Sequence, residues 1–178
     1  MKIKPANFKL KKNSRKGFTL IEVLIVVVVI ASLAGLSIIT FGNYSKSQTL
    51  NQAYGNFLNV LNTAKSRSIS QDKPASIAKC AAPGSVLNGY SVTLNKAATP
   101  NTYSLYVICS NTSVVLSGYS QLPLLPGVSF GGSLTSVFFP VINGGAILNN
   151  GALTQGTITL VQGSLTKTIT IYGTGLIQ

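Results

Sequence analysis

An α+β fold is predicted, with a long N-terminal membrane-spanning helix packed on a C-terminal antiparallel β-sheet or small β-sandwich head. Three observations predict it. From Val23 to Phe41 the chain runs 19 residues without a charge, about 28 Å as a helix at ~1.5 Å per residue, the thickness of a bilayer core. Apolar residues then recur at Leu50, Tyr54, Phe57, Leu58, Leu61 and Ala64, which draws one stripe along a helix. From Ala75 onward, short strand-like runs alternate with Gly, Pro, Asn and Ser.

Residues 1–17 are polar and basic, with Pro5 and no apolar periodicity. Seven of the 14 cations (Lys2, Lys4, Lys9, Lys11, Lys12, Arg15, Lys16) precede Phe18, and no acid does. Such an excess beside a span predicts a cytoplasmic amino terminus, with everything after Phe41 outside. A secretory signal has a shorter apolar core and then a small-residue cleavage site, so this helix is expected to stay with the mature chain. A carboxylate at the edge of a span is costly and marks a functional site by default. Glu22 is that carboxylate.

The run Lys16-Gly17-Phe18-Thr19-Leu20-Ile21-Glu22 resembles the class III signal of type IV pilins and type II secretion pseudopilins. The resemblance implies that a prepilin peptidase removes residues 1–17 by cutting after Gly17 and then N-methylates Phe18. It makes Glu22 the fifth mature residue and the charge used in assembly. It implies a filament of pilins or pseudopilins rooted in the inner or cytoplasmic membrane, for type IV pili or type II protein transport. Many pilins carry proline where this chain has Ile39, so kinking of the span is left to Gly35 and Gly42.

The transmembrane helix is expected over 18–41 and an amphipathic continuation over 42–73, stopped by Asp72 and Pro74. A β-rich head over 74–178 would follow, giving a stalk of ~80 Å on a globular end. Candidate strands are Ala75–Cys80, Tyr90–Leu94, Tyr103–Cys109, Ser113–Leu116, Val128–Phe130, Val137–Ile142, Thr157–Val161 and Thr166–Tyr172. The last two form the clearest hairpin: Ile158 and Leu160, then Ile169 and Ile171, alternate with polar residues about Gly163-Ser164. Asn143–Gly156 reads as a loop. The head is similar to H-type minor pseudopilins and T-type minor pilins. That similarity rests on Arg67-Ser68-Ile69-Ser70 at the helix end, a strand after Pro74, and a closing hairpin running into Gly173-Thr174-Gly175-Leu176-Ile177.

The residue inventory argues against an enzyme. The chain has no histidine and two acids, Glu22 and Asp72, so paired carboxylates, His-based triads and His or carboxylate metal sites lack their parts. Two S-x-x-K runs, Ser70–Lys73 and Ser164–Lys167, lack the companion motifs of Ser-Lys enzymes. Gly173-Thr174-Gly175 lacks the third glycine of a dinucleotide loop. No catalytic residue, metal or cofactor is expected. Past Gly17 the cations are Lys46, Lys65, Arg67, Lys73, Lys79, Lys96 and Lys167. Only the four from Lys65 to Lys79 lie close together in sequence, with Asp72 among them, so a solvated rim is expected and duplex DNA is not an expected partner. The alternatives are a single-pass surface-anchored binding module and a minor pilin of DNA uptake. Cys80 and Cys109 are read either as two buried thiols or as a disulfide. The charge argument puts both outside the membrane, where bridges persist. If each closes a strand of an antiparallel meander, they meet at one end of the sheet.

Overall fold

The computed structural model describes residues 17–142, 144–151 and 153–178, and for 34–41 the backbone only. The leader before Gly17, the Ile39 side chain and Asn143 therefore lie outside the described residues. The chain divides into two compact units, Met1–Gly42 and Asn43–Gln178. The α+β class is the one observed: a long helix, with antiparallel sheets against its second half.

Helix α1 is Leu20–Ile69. Each large apolar side chain described in its first part, Leu20 to Leu33, is at least half exposed, so the helix is apolar on all sides there. No helix among the described residues is long and apolar enough to cross a membrane. The uncharged run continues through 34–41, whose side chains are not described.

Within the second unit α1 buries Leu50, Ala53, Phe57, Val60, Leu61, Ala64 and Ser68. The stripe predicted from sequence is rotated slightly, since Tyr54 and Leu58 are only half-buried at its margin. Ala53 and Ala64 are the small residues of that buried face. The helix is stopped by its own backbone. Gln71 turns to φ 54°, its N–H bonds to the Ser68 carbonyl at 3.2 Å, and the Asp72 N–H bonds to the Arg67 carbonyl at 3.0 Å. This is a Schellman end, with glutamine in the place glycine usually takes. Arg67 and Asp72, the residues that close it, also meet as an ion pair at 3.6 Å. Asp72 therefore helps end the helix as a cap, and Pro74 lies beyond the turn.

The stretch expected as a first strand, Ala75–Cys80, is a turn leading into the short helix α2, Ala78–Ala81. The Ile77 N–H bonds to the Pro74 carbonyl and the Cys80 N–H to that of Ile77. Local bonds leave this stretch nothing to offer a ladder. The "strand after Pro74" that supported the subfamily resemblance is therefore absent.

The first sheet comprises β1 (Leu87–Asn95), β2 (Thr102–Cys109), β3 (Thr112–Val115), β4 (Leu122–Pro123), β6 (Ser136–Pro140) and β7 (Ile147–Leu148). Its order is β3-β2-β1-β6-β7, with β4 also on β2. Register explains its buried face: Val92 pairs with Leu105 and Val137, and Tyr90 with Val107 and Phe139. All six are buried. The second sheet is β5 (Ser129–Gly132), β8 (Gln155–Gln162) and β9 (Leu165–Tyr172), in the order β5-β8-β9. Its hairpin turns at Gly163-Ser164, with Ile158 opposite Ile169. Threonines line the other face, and the hydroxyls of Thr159 and Thr168 meet at 3.3 Å.

The loop expected over Asn143–Gly156 contains β7 and a 3-10 turn, Asn149–Gly151. Asn149 fixes it, accepting from the Thr135 N–H at 2.9 Å and donating to the Ser133 carbonyl at 3.0 Å. Two-residue strands such as β4 and β7 are too short to leave a sequence period.

Burial raises the Tyr90 and Tyr103 phenols above their ordinary value; at Tyr90 the Asp72 carboxylate adds to this and Arg67 opposes it. The folded chain thus holds these protons more tightly than the unfolded chain does. Their contribution to stability is complete below about pH 10 and falls as pH rises further. Lys96, lowered by burial, acts in the opposite sense, so a variant must isolate the tyrosines. Tyr90→Phe should cost roughly 1 kcal/mol at pH 8 through its lost hydrogen bond. Its stability should then fall less steeply than the parent's between pH 9.5 and 11, read from chemical unfolding midpoints.

Candidate functional site: the helix start and the pinned helix end

Gly17, Phe18 and Thr19 are non-helical, and α1 begins at Leu20. Phe18 is 81% exposed. The Thr19 carbonyl accepts the N–H groups of Glu22 at 3.1 Å and Val23 at 3.3 Å. Its side-chain Oγ1 also accepts the Glu22 N–H at 3.3 Å. Thr19 is therefore the N-cap and Glu22 the third helical residue, the Thr-x-x-Glu arrangement of a capping box. Sequence reasoning assigned Glu22 and passed over Thr19, although the T-x-x-E spacing before an apolar run was there to be read. The Glu22 carboxylate lies in the first helical turn, where the helix dipole favours a negative charge. Among the described residues it forms no ion pair. Gly17, Phe18 and Glu22 thus lie within one exposed stretch of the helix start.

Beyond the membrane-like run the exposed face of α1 carries Asn51, Gln52, Asn56, Asn59, Asn62 and Ser66. No charge occurs between Lys46 and Lys65. A helix face kept in water ordinarily carries charged side chains. This one offers short neutral amides and a glycine, Gly55.

The far end of α1 is pinned to the first sheet by hydrogen bonds as well as packing. Buried Ser68 donates from Oγ to the Phe139 carbonyl at 2.8 Å. Buried Tyr90 donates from its hydroxyl to the Asp72 carbonyl at 2.5 Å. Gly89 lets β6 lie against β1 beside that acceptor: it has φ 153° at a bulge in β1, and a Cβ there would collide with the Phe139 carbonyl and the Phe138 ring. Of the four neighbouring cations, Arg67 is paired with Asp72 and Lys73 donates to the Ser85 carbonyl at 2.6 Å. Of these, Arg67 is charge-compensated, while Lys73 is oriented by a neutral carbonyl and keeps its charge.

Cys80 and Cys109 are joined by a disulfide, with Cα atoms 5.3 Å apart and both residues fully buried. Cys109 ends β2 as the meander argument required, but Cys80 arrives on α2, so the bridge ties a helix to a strand. Among the described residues no cluster of His, Cys, Asp and Glu gathers to hold a metal. A hollow of about 590 Å³ is lined by uncharged residues that include Pro100, Leu124 and Val128.

Alkylation measures the bridge directly. The unfolded, non-reduced chain should take up no label and the reduced chain two. Reduction should lower stability by roughly 3 kcal/mol for a loop of this length. Two labelled thiols without reductant would refute the bridge.

Residues 12–38 match the family defined by the prokaryotic N-terminal methylation motif. The fold is similar to the crystal structure of the type IV minor pilin FimU from Pseudomonas aeruginosa strain PAO1, with a TM-score of 0.53 and 16% sequence identity over 76% of this chain and 90% of that one. No curated protein matches the chain in sequence. The chain thus joins the methylation motif of prepilins to the fold of a type IV pilin.

Proposed function

We propose that the chain is a structural subunit of a type IV pilus-like filament, cut between Gly17 and Phe18 by a prepilin peptidase and N-methylated at Phe18. The observation that carries this is the helix start: a motif match over residues 12–38 that contains an exposed non-helical Gly17-Phe18 junction, with Glu22 in the first turn of the helix. Residues 18–41 would anchor the subunit in the inner or cytoplasmic membrane with the head outside, and the neutral amide face of α1 would pack against neighbouring subunits. Cleavage exposes an α-amino cation on Phe18. Glu22 of a neighbour offers it a partner, and a charge pair is tolerated in lipid where a lone charge is expensive.

The head's charge favours a minor subunit over a homopolymer. From Asn43 onward the side chains carry seven cations and one acid, Asp72. Copies stacked only on each other would repel, whereas single copies among acidic neighbours would attract. This balance, with the FimU-like fold, favours a minor pilin. An H-type pseudopilin of type II secretion is the second reading, supported by the closing hairpin that ends in Gly173–Ile177.

The decisive measurement is amino-terminal mass spectrometry of membrane-extracted protein from cells with an active prepilin peptidase. A mature chain beginning with N-methyl-Phe18 is expected. Recovery of an uncut chain would leave a plain anchored module instead.

Glu22→Val separates assembly from insertion. The variant makes the span more apolar, so it should still insert and be cut after Gly17. Its incorporation into filaments should fall about ten-fold or more, because it leaves a buried cation unpaired. Incorporation at the parent level, scored by immunoblot of sheared filaments, would remove the pairing account.

A further inference from the structure

We infer that Thr19 is a positioning residue for cleavage: by capping α1 it fixes the helix boundary and keeps the Gly17–Phe18 bond in non-helical backbone. The inference rests on the cleavage proposed above and concerns a residue with no role in the pairing of Phe18 and Glu22. The Thr19 hydroxyl and carbonyl take the N–H groups of the third and fourth helical residues, Glu22 and Val23, at 3.1 to 3.3 Å. Residues 17–19 stay outside the helix. The bond to be cut therefore lies just beyond the boundary, between two residues whose backbone is free of helical bonds.

A peptidase must seat the chain on both sides of the bond it hydrolyses. Backbone wound into a helix turns its carbonyls and N–H groups onto itself and denies that contact, whereas irregular exposed backbone is the usual place of cutting. What lies upstream makes the cap decisive. Gly17 is itself an acceptable N-cap, and alanine is the best helix former while threonine is among the weaker ones. With Thr19 replaced by alanine, the helix can restart at Gly17 and draw Phe18 into its first turn. The bond between them would then be part of the helix. Serine at 19 keeps the hydroxyl and the cap.

The test uses the uncut full-length chain in detergent micelles, purified prepilin peptidase, and the variants Thr19→Ala and Thr19→Ser. The rate of cutting after Gly17 is followed by mass spectrometry, and Cα chemical shifts of residues 17–21 are read on the same uncut samples. Thr19→Ala should lower kcat/KM about five-fold, the factor typical of a lost cap, with Phe18 shifting toward helical values. Thr19→Ser should cut at close to the parent rate with parent-like shifts. Parent-rate cutting of Thr19→Ala overturns the inference, as does slow cutting without the helical shift at Phe18. An equal loss in Thr19→Ser also overturns it, because the peptidase would then be reading the threonine itself. If the parent chain is not cut after Gly17, the functional proposal fails and carries this inference with it, an outcome distinct from the other three.

Discussion

Phe57 is the contact on which the folded unit depends. Its ring lies edge-on to Tyr103 of β2 and to Phe130 of β5, each 5.1 Å from it, and those two meet at 6.0 Å. The three rings belong to the helix, the first sheet and the second sheet. Among the described residues no strand pairing joins the sheets, so side chains supplement the few backbone bonds that link their flanks, such as Leu134 N–H to the Thr157 carbonyl. A fully buried phenylalanine at that junction contributes hydrophobic burial and edge-to-face attraction together, on the order of a few kcal/mol. Lys167 of β9, 5.1 Å above the Tyr54 ring, adds a second tie between helix and second sheet at the rim. Ser68 and Tyr90 then fix the helix end by hydrogen bonds, which are directional and set its axial position where packing alone would let it slide.

The fold class was legible because its large signals are periodic. Val23–Phe41 and the stripe from Leu50 to Ala64 carry a helix whatever lies around them. The β8–β9 hairpin was equally clear, since Ile158, Leu160, Ile169 and Ile171 alternate with polar residues around a Gly-Ser turn. Failures fell where tertiary partners decide. Ala75–Cys80 has strand-like composition, but its backbone satisfies itself locally and a covalent bond from Cys80 holds it in place. The two-residue strands β4 and β7 exist only because β2 and β6 lie beside them.

The candidate site divides in the same way. Gly17, Phe18 and Glu22 were readable because a motif is a local pattern, and so was the capping spacing of Thr19 and Glu22 that went unread. The Ser68–Phe139 bond, whose partners are 71 positions apart, could not be read, because a serine near a helix end ordinarily faces water. Nor could the pairing of Arg67 with Asp72, which depends on Gln71 adopting a left-handed backbone.

The two acids of this chain do parallel work. Asp72 closes the C-terminal end of α1, taking Arg67 as partner through both backbone and side chain. Glu22 lies in the first turn at the N-terminal end, where its own N–H is capped by Thr19 Oγ1 and the helix dipole favours its charge, and no cation among the described residues joins it. A carboxylate favoured only by partial charges is a weaker pair than one facing a full cation. Among the described residues Glu22 therefore has only partial charges to favour it, while the second unit carries seven cations against Asp72. Both imbalances point outward. In the proposed filament a processed neighbour would supply a cation at the helix start, and acidic neighbouring heads would balance the second unit. Copies of this chain could meet the first need but not the second, and it is the second that favours the proposed place among different subunits.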